Sequence, residues 1–324
     1  MAKNKYSCIL RQTRVWKYMT DLFYRCLMFI SRLTGAWFFK TGAWWVATGY
    51  FILFPQRVRV SINFYAALFP TRGFFYHLVC AWRQFHNFTT VFLDRWLART
   101  PGSITYSQEG WEHMEKIARG GTGGIMLMSH LGNWELGAGY LSTRTDGPAI
   151  KLLLYLGEKQ GEEIEGRQKN DLALQGVKII ATKQDEASPF DLVEGVRFLK
   201  DGGFVSMTGD RLWNASQRSV SVQFLGHEAR IPEAPFQFAL LSGAPLIIFF
   251  VNRIGNGCYH CTLFPPIAVA APSRNERGEA IRQASQQYAD ILESMVRRHP
   301  FEWYHFERFI DFCVDKKQDV MSNV

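Results

Sequence analysis

The string Met128-Ser129-His130-Leu131-Gly132-Asn133-Trp134-Glu135 sets an imidazole and a carboxylate five residues apart. A carboxylate beside a histidine fixes its tautomer and stabilises the imidazolium formed when the ring takes a proton. Such a pair can work as a general base without a serine nucleophile. Five residues is about 140° around a helix, so His130 and Glu135 converge only if the chain turns between them. Gly132 and Asn133 can supply that turn. The spacing is weak on its own, since eight histidines and 29 acids in 324 residues make a chance match unsurprising. This match, however, falls where a strand gives way to a helix. The same residues also read as a capping histidine and a glutamate that favours the positive end of the helix.

A second cluster follows the apolar run Phe204–Met207: Gly209-Asp210-Arg211, then Arg218 and Ser219. Strand exits gather at one edge of an α/β sheet, where ligands bind, so this loop can bring Asp210 and Arg218 to the edge that carries His130. The alternative is a surface ion pair of Asp210 with Arg211 or Arg218, worth little. Other chemistries find no support. Gly120–Gly124 precedes its strand and lacks G-K-[ST], so it reads as a turn. No G-x-S-x-G elbow occurs. Cys258-Tyr-His-Cys261 has no second CxxC to complete a zinc site, and its alternation reads as a strand. The scattered cysteines suit a reducing compartment.

The elements that must position these residues follow from short apolar runs. Ile125–Met128, Ile150–Leu154, Val177–Ala181, Phe204–Met207, Val220–Phe224, Leu246–Val251 and Cys258–Phe264 read as buried strands. Between them, Ser188-Pro189 opens one helix, Pro232 to Ser242 forms another, and Arg274 to His299 carries a helical stripe of Ile281, Ala284, Tyr288, Leu292 and Met295. Strands alternating with helices predict an α/β fold with a mixed, mostly parallel sheet flanked by helices.

The first hundred residues differ from the rest. They hold 14 of the 37 Lys and Arg but only two acids, Asp21 and Asp94, and 25 of the 48 aromatics. Against the whole-chain charge of +8, the front is +12 and the body −4. A uniformly basic nucleic-acid binder is disfavoured, and a membrane-facing front is expected. Two forms stay open. One is a single tilted span; the longest uncharged run, Thr41–Gln56, is short for it. The other is a set of amphipathic helices in the interface; against both stands the reading that the aromatics are ordinary core of a helical subdomain. Either way the chain divides at residue 100, with a membrane-associated helical region at 1–100 and an α/β domain at 101–324.

The motifs in order resemble a known family. His130-Leu-Gly-Asn-Trp-Glu135, the Asp210…Arg218 loop, Phe224-Leu225-Gly226, the Gly243-Ala244-Pro245 turn and the aromatic block Pro300–Phe306 are similar to the bacterial late acyltransferases of lipid A biosynthesis. That family belongs to the lysophospholipid acyltransferase superfamily. The resemblance implies O-acyl transfer from an acyl thioester, on acyl carrier protein or coenzyme A, to a hydroxyl of a lipid or glycolipid. It places the reaction at the cytoplasmic face of a bacterial inner membrane. It implies His130 as general base oriented by Glu135, with no metal or tightly bound cofactor. Gly132 and Asn133 would lie at the substrate, with backbone N–H groups around Gly132 or a basic side chain stabilising the oxyanion. Arg167 would contribute to acceptor binding. Arg218 would bind the acceptor's phosphate or sugar, with Asp210 holding Arg218 or its loop. The rival readings are a different lipid-linked product, a thioester hydrolase, and a non-catalytic membrane scaffold of the same fold.

Overall fold

The computed structural model describes residues 35–98, 100, 102–143, 150–158, 177–183, 189–212 and 217–311. The basic N-terminal lead, Arg167, Ser188 and the tail from Asp315 lie outside them.

Three helices come first: α1 (Ala36–Leu53), α2 (Pro55–Leu68) and α3 (Phe74–Leu97). Pro55 opens α2, where its missing N–H costs nothing. The uncharged run Thr41–Gln56 is therefore split between two helices. Among the described residues, no helix is long and apolar enough to cross a membrane.

The body continues with β1 (Thr105–Glu109), α4 (Trp111–Gly120), β2 (Gly124–Met128), α5 (Trp134–Thr143), β3 (Leu152–Glu158) and β4 (Lys178–Lys183). Then come α6 (Pro189–Lys200), β5 (Phe204–Thr208), β6 (Ser219–Phe224), β7 (His227–Pro232), α7 (Ala234–Ser242), β8 (Leu246–Gly255), β9 (Cys258–Leu263), α8 (Arg277–Arg298) and the short β10 (Ile310–Asp311). The seven-stranded sheet runs β1-β9-β8-β2-β5-β3-β4. Its five strands from β8 to β4 are parallel; β9 lies antiparallel to β8. A three-stranded antiparallel sheet, β10-β7-β6, stands beside it. The architecture is a mixed, mostly parallel α/β sheet flanked by helices, as the alternating pattern predicts.

All seven expected strands are present. Three strands are additional: β1 and β7 read Thr-Tyr-Ser-Gln-Glu and His-Glu-Ala-Arg-Ile-Pro, too polar to stand out as apolar runs, and β10 is only two residues long. The helix expected from Pro232 begins instead at Ala234. Ile231 and Pro232 pair with Val220 and Ser219 in the hairpin, and Pro235 takes the helix-opening role.

Alternation along the central strands sorts their side chains into two cores. Ile125 and Leu127 of β2, Val205 of β5 and Ile248 of β8 face one cluster with Phe236, Tyr288 and Leu292. Met126, Met128, Phe204 and Ile247 face the other, with Trp111, Met114 and Leu136. Phe64, Tyr65, Leu68, Cys80 and Ala81 of α2 and α3 belong to the first cluster. α2 and α3 are thus packed into the body's own core, while Phe39 and Ala43 of α1 form a separate small cluster with Leu93 of α3.

Candidate active site

His130 and Asp210 meet because of strand register. In the parallel pair β2–β5, Met128 lies opposite Thr208. Two residues beyond each partner stand His130 and Asp210, side by side where the two central strands leave the sheet. The Gly209 N–H donates to the Met128 carbonyl at 2.8 Å and carries the pairing past the strand ends. The His130 ring presents Nδ1 to Asp210 Oδ1 at 2.8 Å, and the His130 backbone N–H donates to Oδ2 at 2.8 Å. The Trp303 indole N–H adds a third bond to Oδ2, at 3.0 Å.

Asp210 is fully buried. Burial alone would raise its pKa. The charge and hydrogen bond of His130, helped by His305 and Trp303, outweigh burial and hold the carboxyl well below the usual carboxylate range. An ionised carboxylate on Nδ1 makes that nitrogen the N–H and turns the Nε2 lone pair outward. At Nε2 stands Arg211, its Nη1 at 3.4 Å. Glu307 grips the same guanidinium from behind, at Nε (3.3 Å) and Nη2.

This geometry corrects the sequence-based assignment of partners. Glu135 is not at His130; its carboxylate forms an ion pair with Arg95 of α3. The chain does turn between the two, with Gly132 at φ 78°, but the turn ends in the first turn of α5 with Glu135 facing α3. Asp210 does not hold Arg218 either. Arg218 is exposed and bonded to Glu233 at 3.0 Å, while Asp210 is taken up by His130 and Trp303.

The backbone around Gly132 is committed too. The N–H groups of His130, Leu131, Gly132 and Asn133 donate in turn to Asp210 Oδ2, Ser129 Oγ, the Glu302 carbonyl and the Val251 carbonyl. They are therefore not open to an oxyanion. Gly132 is required on two counts: its positive φ, and a Cβ that would lie 2.2 Å from the Val251 carbonyl oxygen. Asn133 is buried, and its Oδ1 accepts the Leu136 N–H at 3.3 Å as the N-cap of α5. Cys258 and Cys261, three apart on β9, point to opposite faces of the strand. Burial pushes the Cys261 thiol up to about 12.

The aromatic block near the C-terminus closes the site. Leu131 bridges to Trp303, and the Tyr304 N–H donates to the His130 carbonyl at 2.9 Å. α2 and α3 hold this block from the other side. Tyr65 Oη donates to the Pro300 carbonyl at 2.8 Å, and Gln84 donates to the Trp303 carbonyl. His305 stacks on Trp303 and meets the His130 ring edge-on at 5.7 Å between centroids. Its Nδ1 lies 3.1 Å from the Glu307 carbonyl. Burial, with the charges of His130 and Arg211 acting in the same direction, lowers its pKa to about 4, so this imidazole is neutral. Sequence reasoning noticed the block but could not assign Trp303 to Asp210, because that bond spans 93 residues.

Residues 10–309 match the family model described as bacterial lipid A biosynthesis acyltransferase. The chain belongs to this family. Its relatives in the family include phosphatidylinositol mannoside acyltransferases of two mycobacteria. The Mycobacterium tuberculosis protein is 22% identical over 223 residues, which cover 69% of this chain and 64% of that one. The Mycolicibacterium smegmatis protein is 21% identical over 193 residues, covering 60% and 58%. The match thus spans less than two thirds of the length of these relatives. The family description and both relatives' names are those of acyltransferases.

Proposed function

We propose that this protein is an O-acyltransferase that moves a fatty acyl chain from a thioester to a hydroxyl of a glycolipid, with His130 as general base. The observation that carries the reading is the buried Asp210 carboxylate on Nδ1 of His130. It leaves Nε2 as the basic atom, and the group facing Nε2 is a guanidinium rather than a serine or cysteine. An imidazole set this way takes a proton directly from an incoming hydroxyl. No acyl-enzyme is needed: the acceptor oxygen attacks the thioester and the thiol leaves with the proton from His130. Asp210, rather than Glu135, orients the ring and balances the imidazolium. Glu135 instead ties α5 to α3 through Arg95.

Family membership and the mycobacterial relatives support a glycolipid acceptor, either a lipid A precursor or a mannoside-bearing lipid. The donor is acyl carrier protein or acyl-CoA. The same reading places the protein on the cytoplasmic face of a bacterial inner membrane. The exposed Trp37, Trp44, Trp45 and Tyr50 of α1 and Phe74 and Phe75 of α3 enter the interface, with Lys40, Arg57, Arg59 and Arg72 at anionic headgroups.

His130→Ala in washed membranes tests the reading. Acyl transfer should fall by about 10³-fold or more, with membrane fractionation unchanged. Asp210→Asn should cost about 10²–10⁴-fold, because a neutral amide neither fixes the tautomer nor balances the charge. Undiminished transfer by His130→Ala would remove His130 as base. Thioester cleavage that never yields an acylated lipid would favour the hydrolase instead.

A further inference from the structure

We propose that Arg211 is a catalytic residue: its guanidinium stabilises the oxyanion that forms on the thioester carbonyl, and Glu307 holds it in position. The inference rests on the acyl-transfer reading above and names a residue for a role that reading leaves unassigned.

Every acyl transfer by direct attack must place a charge on the carbonyl oxygen. The acceptor O–H gives its proton to His130 Nε2 as its oxygen bonds to the carbonyl carbon, and the C=O π pair moves onto oxygen. Collapse re-forms C=O and breaks the C–S bond, and the departing sulfur takes the proton from Nε2–H. The oxyanion needs donors already in place when it forms. The backbone N–H groups of residues 130–133 all donate within the protein.

The group that meets the geometric requirement is Arg211. Its Nη1 lies 3.4 Å from Nε2, the atom that defines where the attacking oxygen must sit. When the acceptor hydroxyl takes Nε2, this N–H is released from the imidazole beside the incoming carbonyl oxygen. The side chain is largely shielded, 18% exposed, so its charge acts in a medium of lower dielectric than water. Glu307 binds Nε and Nη2, which turns the Nη1 edge toward His130. The position itself is fixed by covalent linkage, because Arg211 directly follows Asp210. Register that sets the carboxylate against Nδ1 sets the guanidinium against Nε2.

The experiment uses the full chain in membranes, with palmitoyl-CoA as donor. Phosphatidylinositol mannoside and a lipid A precursor are offered in turn as acceptor, and released thiol and acylated lipid are both measured. Arg211→Ala should lower kcat by about 10²–10³-fold while KM for either substrate moves less than about threefold. Millimolar methylguanidinium should restore at least tenfold of that loss and leave wild type unchanged. Glu307→Gln should lower kcat about tenfold with KM unchanged, and serves as the second variant if Arg211→Ala does not fold. Wild-type kcat in Arg211→Ala would overturn the proposal, as would a loss confined to acceptor KM, which would make Arg211 a binding residue. If wild type acylates neither acceptor, the acyl-transfer reading falls and this one with it. If His130→Ala is dead while Arg211→Ala is normal, only the role of Arg211 falls.

Discussion

At the scale of single residues, the site is a chain of orientations. Trp303 and the His130 N–H occupy Oδ2 of Asp210, which leaves Oδ1 for the imidazole. Trp303→Phe removes only the indole donor. A hydrogen bond that holds the Asp210 carboxyl down is then lost, and the carboxylate that orients His130 is held less firmly. kcat should fall by about tenfold, a hydrogen bond to a charged group being worth about 1.5–3 kcal/mol. An undiminished kcat would show that Trp303 only packs. His305 gives a separate signature in stability. Its pKa of about 4 lies below the ordinary 6.5, so between those values the unfolded chain binds more protons than the folded one. Stability should therefore fall as pH drops from about 6.5 to about 4, by on the order of 3 kcal/mol from this group. Denaturant titrations of His305→Phe across that window should show a flatter dependence. An unchanged slope would place the acid sensitivity elsewhere.

At the scale of elements, the parallel register of β2 and β5 aligns the dyad, and α3 anchors what surrounds it. Asp94 is fully buried and accepts from Arg253 Nε at 2.6 Å and Tyr259 Oη at 2.7 Å, joining α3 to β8 and β9. Arg95, the next residue, takes Glu135 of α5. Breaking a buried ion pair costs about 3–5 kcal/mol; Arg253 is partly exposed, so Asp94→Asn should cost about 2–3 kcal/mol. Hydrogen exchange should localise the loss to α3 and to the aromatic block it holds. Equal protection of α3 in variant and wild type would argue against the anchor. The fold was largely legible at this scale, since the seven strands are short, apolar and bounded by turns. What stayed hidden were β1 and β7, polar strands whose pairing comes from neighbours rather than from hydrophobicity, and the two-residue β10.

At the scale of the whole molecule, the charge asymmetry along the chain meets an exposed aromatic surface. Trp45 and Phe75 are 65% and 81% exposed, and a globular domain keeps such side chains in water at a cost of about 1.5–3 kcal/mol each. Binding to vesicles of phosphatidylglycerol and phosphatidylethanolamine should weaken with salt. It should weaken about 10²-fold further in Trp45→Ser/Phe75→Ser, with thermal stability unchanged. Co-sedimentation measures both, and equal binding by the double variant would move the membrane contact away from α1 and α3.

The sequence by itself determined the fold class and the residues worth watching, because strand runs, glycine turns and His130, Glu135 and Asp210 are local features. It could not determine who pairs with whom. His130 and Glu135 are five residues apart and turn to different partners; His130 and Asp210 are 80 residues apart and hydrogen-bonded. Side-chain partnership depends on strand order and register, which arise from burial of two opposite faces of one sheet. Tertiary structure alone gave Asp210 its place on the imidazole, Trp303 its place on Asp210, and Arg211 its place at Nε2.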